Sequence, residues 1–101
     1  MKYDKLVRDK IPEIIKKDNL TPVTHIADKQ EYWNKLKKKL LEETGEFMAT
    51  EKIDELADII EVINALAKTK NITPAELERI RAKKSKTRGS FDKKIILEHT
   101  K

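Results

Sequence analysis

Two long stretches of apolar residues at the helical period constrain the fold more than any other feature of this sequence. In the first, roughly residues 29–48, Leu36, Leu40 and Phe47 fall on one side of a helical wheel. The second, roughly residues 51–69, repeats the pattern at higher density. The chain has only two glycines and three prolines, which favours helices over β-hairpins. We therefore expect a mainly all-α protein, a helical bundle around a long antiparallel helix hairpin.

Two shorter helices are predicted outside this hairpin. One should cover residues 11–17, near the start of the chain. The other has a stronger start signal, because Thr73, Pro74 and Glu76 occupy the cap, first and third positions of a helix. It should continue to about Lys84.

Three remaining segments are predicted to be non-helical. Residues 85–90 contain the second glycine and indicate a basic loop. Two short apolar runs, near residues 23–26 and 94–97, are candidates for a minor pair of short strands. A length of 101 residues predicts that residues 1–101 form a single domain.

The composition excludes several kinds of site. There is no cysteine, which rules out a disulfide framework, a cysteine-ligated zinc site and a thiol nucleophile. With only two histidines, a metal bound here should be a hard cation held by oxygen. No apolar run approaches 18 residues and the N-terminus has no apolar stretch like that of a signal peptide, so we expect no membrane association and a cytoplasmic location.

A cluster of acidic residues lies on the two long helices. The residues are Glu42-Glu43-Thr44-Gly45-Glu46 on the first helix and Glu55-Leu56-Ala57-Asp58 on the second. The helical wheel places Glu43 inside the apolar stripe of the first helix and Glu55 among apolar residues of the second. A carboxylate on an apolar face is costly unless it is neutralised, paired or bound to a metal.

The expected bend near Thr50 would bring these acids together. Glu43 and Glu46 would then lie at the same heights as Asp58 and Glu55, respectively, and the four could share one site. Oxygen ligands of this kind suit Mg²⁺, or alternatively Mn²⁺. The alternative is a hairpin with solvated surface acids, because glutamate is common on helices and such spacings arise by chance.

The acidic pattern, EExxE followed by ExxD, resembles the signature of the MazG-like all-α nucleoside triphosphate pyrophosphohydrolases. That superfamily includes the phosphoribosyl-ATP pyrophosphohydrolases. Residues 3–12 and 88–91 further resemble a small house-cleaning branch of it. The resemblance implies that Glu43, Glu46, Glu55 and Asp58 bind Mg²⁺. It also makes Glu42 and Glu43 the catalytic candidates, and leaves open which acid takes the proton from water.

The reaction implied by the resemblance is hydrolysis of a nucleoside triphosphate, canonical or non-canonical, to a monophosphate and pyrophosphate. The phosphates of such a nucleotide substrate need cations. The candidates are Arg8, Lys10, Lys39, Lys86 and Arg88. The two arginines are the strongest of these, because a guanidinium group binds phosphate through two parallel hydrogen bonds. For each candidate the alternative is a solvated surface cation.

The second long helix has an apolar arc that extends from Val62 round to Ile53. One neighbouring helix cannot cover an arc of this width. Other helices of the same chain, or a second subunit, would have to cover the rest. The superfamily resemblance implies a homodimer or a homotetramer with active sites near the interface, so we expect at least a dimer.

The main alternative function is that of a small basic helical module that binds nucleic acid or another protein without catalysis. The net charge of +5 and the basic run from Arg79 to Arg88 support it, because such runs contact phosphates. No recognition-helix motif is evident, and the acids lie on apolar faces instead of in solvent. Nucleic acid is therefore the less favoured partner.

Overall fold

The computed structural model describes residues 4–101, and the regular elements of this part of the chain are all α-helices. They are α1 (Ile11–Lys17), α2 (Lys29–Thr50), α3 (Ile53–Thr69) and α4 (Pro74–Arg88). The prediction of an all-α fold is confirmed. None of these helices is both long and apolar enough to cross a membrane.

Helices α2 and α3 form the hairpin on which the rest of the protein is arranged. The Asp28 carboxylate accepts a hydrogen bond from the Glu31 backbone N–H at 2.8 Å and caps the start of α2. Glu51 ends α2 in the left-handed conformation, with φ at 56°. Only Glu51 and Lys52 separate the two helices, so the turn is tight. Leu36 and Val62 are the buried hydrophobic residues of the described chain.

Helix α4 begins where the sequence predicts and ends later. The Glu76 N–H donates to the Thr73 hydroxyl at 3.1 Å, and the Thr73 N–H donates to the Glu76 carboxylate at 3.4 Å. This reciprocal pair is the expected capping box. The helix continues to Arg88, so the predicted basic loop at residues 85–90 is wrong over most of its length. Basic residues in the last turn of a helix interact favourably with the helix dipole, which stabilises this extension. The helix ends at Gly89, whose φ of 85° is not helical.

The two candidate strand segments do not pair within residues 4–101. Residues 23–26 and 94–97 have no regular secondary structure, and the side chains of Val23 and Ile26 are almost fully exposed. A strand needs a neighbour to satisfy its backbone hydrogen bonds. Because neither segment has such a neighbour in the described chain, both stay irregular.

Candidate metal centre

The hairpin brings three of the four predicted metal ligands to one point. One carboxylate oxygen from each of Glu43, Glu55 and Asp58 lies within 4.8 Å of the other two. We call these three residues the acidic triad. Glu43 comes from the second half of α2, while Glu55 and Asp58 are neighbours on one face of the first two turns of α3. The tight turn at Glu51 and Lys52 aligns the two helices so that the three groups meet.

The fourth predicted ligand, Glu46, lies beside the triad and outside it. Its side chain is exposed. Its wheel position is about 60° further from the apolar stripe than that of Glu43, which turns it toward solvent. It remains close enough that its negative charge raises the pKa of Glu43. Three of the four predicted ligands therefore lie together, and Glu46 lies beside them.

Glu43 is the one charged residue that is buried in the described chain, with 8% of its surface exposed. Its Oε2 atom has no hydrogen-bond partner, and its Oε1 atom lies 3.6 Å from the Lys39 ammonium nitrogen. Burial raises the pKa of Glu43 most, and repulsion by Glu46 and Asp58 adds to the effect, while Lys39 acts in the opposite direction. A buried carboxylate oxygen without a partner is costly unless a proton or a cation balances it.

The donor set and the spacing of the triad fit a hard divalent cation. Carboxylate oxygens are the ligands that Mg²⁺ and Mn²⁺ prefer. Oxygens that share one Mg²⁺ at about 2.1 Å lie at most about 4.2 Å apart. The triad oxygens lie within 4.8 Å of one another, so small side-chain rotations would bring them into range. The unpartnered Glu43 Oε2 atom is the second observation that favours a cation at this point.

The N-terminal segment, residues 4–10, supplies cations to the edge of the triad. The Arg8 guanidinium donates a hydrogen bond to Asp58 Oδ1 at 2.8 Å, and the Lys5 ammonium nitrogen lies 3.4 Å from Glu42 Oε1. Arg8 was expected to bind phosphate. Its ion pair with Asp58 was not predicted, because the two residues are 50 positions apart and no sequence period links them.

Glu42 and Lys39 form an ion pair next to the triad. The Lys39 ammonium nitrogen lies 3.7 Å from Glu42 Oε2 and 3.6 Å from Glu43 Oε1, so it bridges the two acids. Lys5 contacts the other Glu42 oxygen. Glu42 is therefore half-buried between two ammonium groups, and its predicted catalytic role remains a prediction.

The other predicted phosphate ligands do not reach the triad. Lys10 is the exposed residue that precedes α1, and Lys86 and Arg88 are exposed in the last turn of α4. Within residues 4–101 none of the three forms an ion pair with an acid of the site. The roles of Lys10, Lys86 and Arg88 in substrate binding stay predictions.

Comparison with known proteins gives one partial similarity. An uncharacterised protein of Mycolicibacterium smegmatis is 45% identical to this chain over 49 residues. These residues are 48% of this chain and 50% of that protein, so the chain spans about half the length of the curated relative it matches. No family model and no solved structure matches the chain.

Proposed function

We propose that this protein is a Mg²⁺-dependent nucleoside triphosphate pyrophosphohydrolase, which converts a canonical or non-canonical nucleotide to its monophosphate and pyrophosphate. The observation that carries the proposal is the buried Glu43 carboxylate, which has one unpartnered oxygen and lies beside Glu55 and Asp58. The EExxE and ExxD motifs, which resemble those of the MazG-like enzymes, add the class of reaction. A nucleotide substrate is consistent with the cytoplasmic location expected from the sequence.

The acidic triad would hold the cation. A divalent cation held there would supply positive charge for the phosphates of the substrate and make a water molecule easier to deprotonate. The oxygen of the attacking water forms a bond to phosphorus, and the bond between phosphorus and the bridging oxygen of the α–β linkage breaks. Pyrophosphate leaves with that electron pair, and the proton of the water passes to a carboxylate. Glu42 and Glu43 are the two candidates for that carboxylate.

Arg8 would change partner when a cation binds to the triad. Without a metal, its guanidinium neutralises Asp58. A divalent cation on the triad would neutralise Asp58 instead, and the guanidinium would be released to bind phosphate. Lys39 would keep the charge of Glu43 balanced in both states. Lys10, Lys86 and Arg88 remain the further candidates for contacts with the substrate.

The test is release of pyrophosphate from a panel of canonical and damaged nucleoside triphosphates in the presence of Mg²⁺. We expect turnover of at least one member, and we expect Glu43→Gln and Asp58→Asn each to lower it by about 100-fold or more while helicity is retained. Glu61→Gln is the matched control, because Glu61 is an exposed acid on α3 outside the site. Full activity of both site variants would remove the proposal, and so would the absence of turnover across the panel.

The same variants distinguish the proposed enzyme from the alternative function, a helical module that binds nucleic acid without catalysis. The exposed face of α4 carries Arg79 and Lys83, so it could contact a phosphate backbone. A binding module of that kind would bind oligonucleotides with a steep salt dependence and would be indifferent to Glu43→Gln. Salt-sensitive oligonucleotide binding without pyrophosphate release would favour the module over the enzyme.

The superfamily resemblance also implies a homodimer or a homotetramer, and we include that in the proposal. The oligomer is separable from the catalytic claim, because the three acids that lie together in the triad all belong to one chain.

A further inference from the structure

The N-terminal segment, residues 4–10, contacts the hairpin through three pairs of opposite charges. The pairs are Asp4 with Lys35, Lys5 with Glu42, and Arg8 with Asp58. Between these charged residues, Leu6 and Val7 are half-buried, so the segment lies against the protein and not in free solvent. Partly exposed ion pairs add little to stability, and other ions can therefore displace the charged residues of the segment.

Lys35 lies on the same line of α2 as Lys39 and Glu43, and we call these three residues the α2 row. Residues four apart on a helix lie one above the other, so the row advances in steps of about 6 Å along the axis. The Lys35 side chain is 19% exposed, which is low for a lysine. Its ammonium group is therefore held against the protein, one step beyond Lys39 in the direction away from the triad.

Both described polar contacts of the Lys35 ammonium nitrogen go to Asp4. The nitrogen donates a hydrogen bond to the Asp4 backbone oxygen at 2.7 Å, and it lies 3.6 Å from Asp4 Oδ2. Lys39 differs, because its ammonium group is balanced by Glu42 and Glu43, two acids of α2 itself. The negative charge beside Lys35 therefore belongs to the N-terminal segment and leaves with it, whereas the charges beside Lys39 stay on the hairpin.

The Asp4 carboxylate is an anion that another anion can replace. Its side chain is 83% exposed, and its distance of 3.6 Å from the Lys35 nitrogen is too long for a hydrogen bond. A phosphate group carries more negative charge than a carboxylate and offers three strong acceptor oxygens. A phosphate that reaches Lys35 would therefore compete well with the Asp4 carboxylate for the ammonium group.

We propose that Lys35 binds the phosphate chain of the substrate beyond Lys39, and that Asp4 occupies this position until a phosphate displaces it. The inference rests on the proposed function for the identity of the substrate. The exchange at Asp4 is the counterpart of the exchange proposed for Arg8. A phosphate takes Lys35 from an anion of the N-terminal segment, as a metal ion takes Asp58 from a cation of the same segment.

The first test is the binding of inorganic tripolyphosphate, measured by titration calorimetry with Mg²⁺ in both solutions. This probe has no base or sugar, so its binding reports the phosphate site alone and requires no turnover of a nucleotide. We expect Lys35→Gln to bind it about tenfold or more weakly than the wild type, because an ammonium group is lost. Lys37→Gln is the matched control, since Lys37 is an exposed lysine on the opposite side of α2, and it should bind like the wild type.

Asp4→Asn should have the opposite effect on the same measurement. It removes the competing charge and keeps the size of the side chain, so tripolyphosphate should bind about threefold more tightly than to the wild type. Asp9→Asn controls for the change in net charge, because Asp9 is an exposed acid of the same segment, and it should bind like the wild type. In the double variant Asp4→Asn, Lys35→Gln the gain should disappear, because the ammonium group that Asp4 blocks is absent.

Opposite signs in the two variants separate this inference from a structural ion pair, whose loss would act in the same direction from either side. Wild-type affinity in Lys35→Gln would overturn the inference, and so would an Asp4→Asn variant that binds no more tightly than Asp9→Asn. Asp4 is at the surface, so its variant decides the matter even if Lys35→Gln loses helicity.

The nucleotide assay distinguishes failure of this inference from failure of the proposed function. We expect Lys35→Gln to raise KM more than it lowers kcat. An unchanged KM in Lys35→Gln would remove Lys35 from the site and leave the enzyme proposal intact. Tripolyphosphate binding that depends on Lys35, without turnover of any nucleotide, would remove the enzyme proposal and keep Lys35 as a phosphate ligand.

Discussion

Arg8 and Asp58 form an ion pair in which the guanidinium nitrogen lies 2.8 Å from Asp58 Oδ1. One acid of the triad is thus neutralised by a cation from the N-terminal segment of the same chain. Both side chains are partly exposed, at 56% and 40%, so the pair adds little to stability. Its position matters more, because it holds Arg8 at the edge of the proposed metal centre.

Replacement of Arg8 by alanine should separate catalysis from metal binding. We expect Arg8→Ala to change the free energy of unfolding by less than about 1 kcal/mol, since the ion pair is exposed. Turnover of the nucleotide should fall by about tenfold or more, because a phosphate ligand is lost. Binding of Mg²⁺ should stay equal or become tighter, because a competing cation leaves Asp58. Titration calorimetry with Mg²⁺ and the pyrophosphate assay measure the two effects.

Arg79→Ala is the control for that experiment. Arg79 is an exposed arginine on α4 with no ion pair to the triad, and its removal should affect neither measurement. Weaker Mg²⁺ binding by Arg8→Ala would contradict the exchange of partners that we propose for Arg8.

The buried Glu43 carboxylate should make the metal-free protein more stable at mildly acidic pH. Burial and the neighbouring acids raise the pKa of Glu43 above its usual value of 4.5, so the folded state binds the proton more tightly than the unfolded chain. The stability that Glu43 contributes is fully present below about pH 4.5 and is lost as the pH rises through the folded-state pKa. Glu43→Gln mimics the protonated form and should be more stable than the wild type at pH 7.5.

Denaturant unfolding in a chelating buffer at pH 5.5 and pH 7.5 measures this difference. The advantage of Glu43→Gln over the wild type should shrink at the lower pH. Glu61→Gln serves as the control and should show no such dependence. A Glu43→Gln variant that is less stable than the wild type at both pH values would contradict this prediction, because the ionised carboxylate would then not destabilise the folded protein.

Addition of Mg²⁺ should stabilise the folded protein. At ten times the dissociation constant, a ligand specific for the folded state contributes about 1.4 kcal/mol. For a chain of this length that is a rise of roughly 6–11 °C in melting temperature, at constant protein concentration. NaCl at matched ionic strength should not reproduce it. The double variant Glu43→Gln, Asp58→Asn should show no shift in melting temperature with Mg²⁺. A shift equal to that of the wild type would mean that Mg²⁺ binds at a site other than the triad.

The sequence was most informative where the apolar residues are periodic. The predicted helix at residues 11–17 agrees with α1, and the bounds of α2 and α3 are correct to within two residues. The end of α4 was missed because its last large apolar residue is Ile80, while the helix continues to Arg88. The last part of the helix is stabilised by the helix propensity of its residues and by the interaction of its basic side chains with the helix dipole. Neither effect produces a periodic pattern of apolar residues in the sequence.

The candidate site could be predicted in part for a similar reason. The wheel positions of Glu43 and Glu55 indicated that both face the partner helix, and the structure places their carboxylates together. The wheel places Glu46 further from the apolar stripe than Glu43, but it does not give depth, so the burial of Glu43 and the exclusion of Glu46 from the triad came only from the structure. The contact between Arg8 and Asp58 depends on the path of the N-terminal segment, which has no regular period to follow.

The two residues between α2 and α3 have a consequence for how such a chain can vary. Glu51 is left-handed and Lys52 is extended, and this two-residue path sets the height and rotation of α3 against α2, so an insertion there would shift Glu55 and Asp58 relative to Glu43. The length of this connection is therefore as strict a requirement as the identity of the acids. A change in the length of the bend would therefore disrupt the site without altering any of its members.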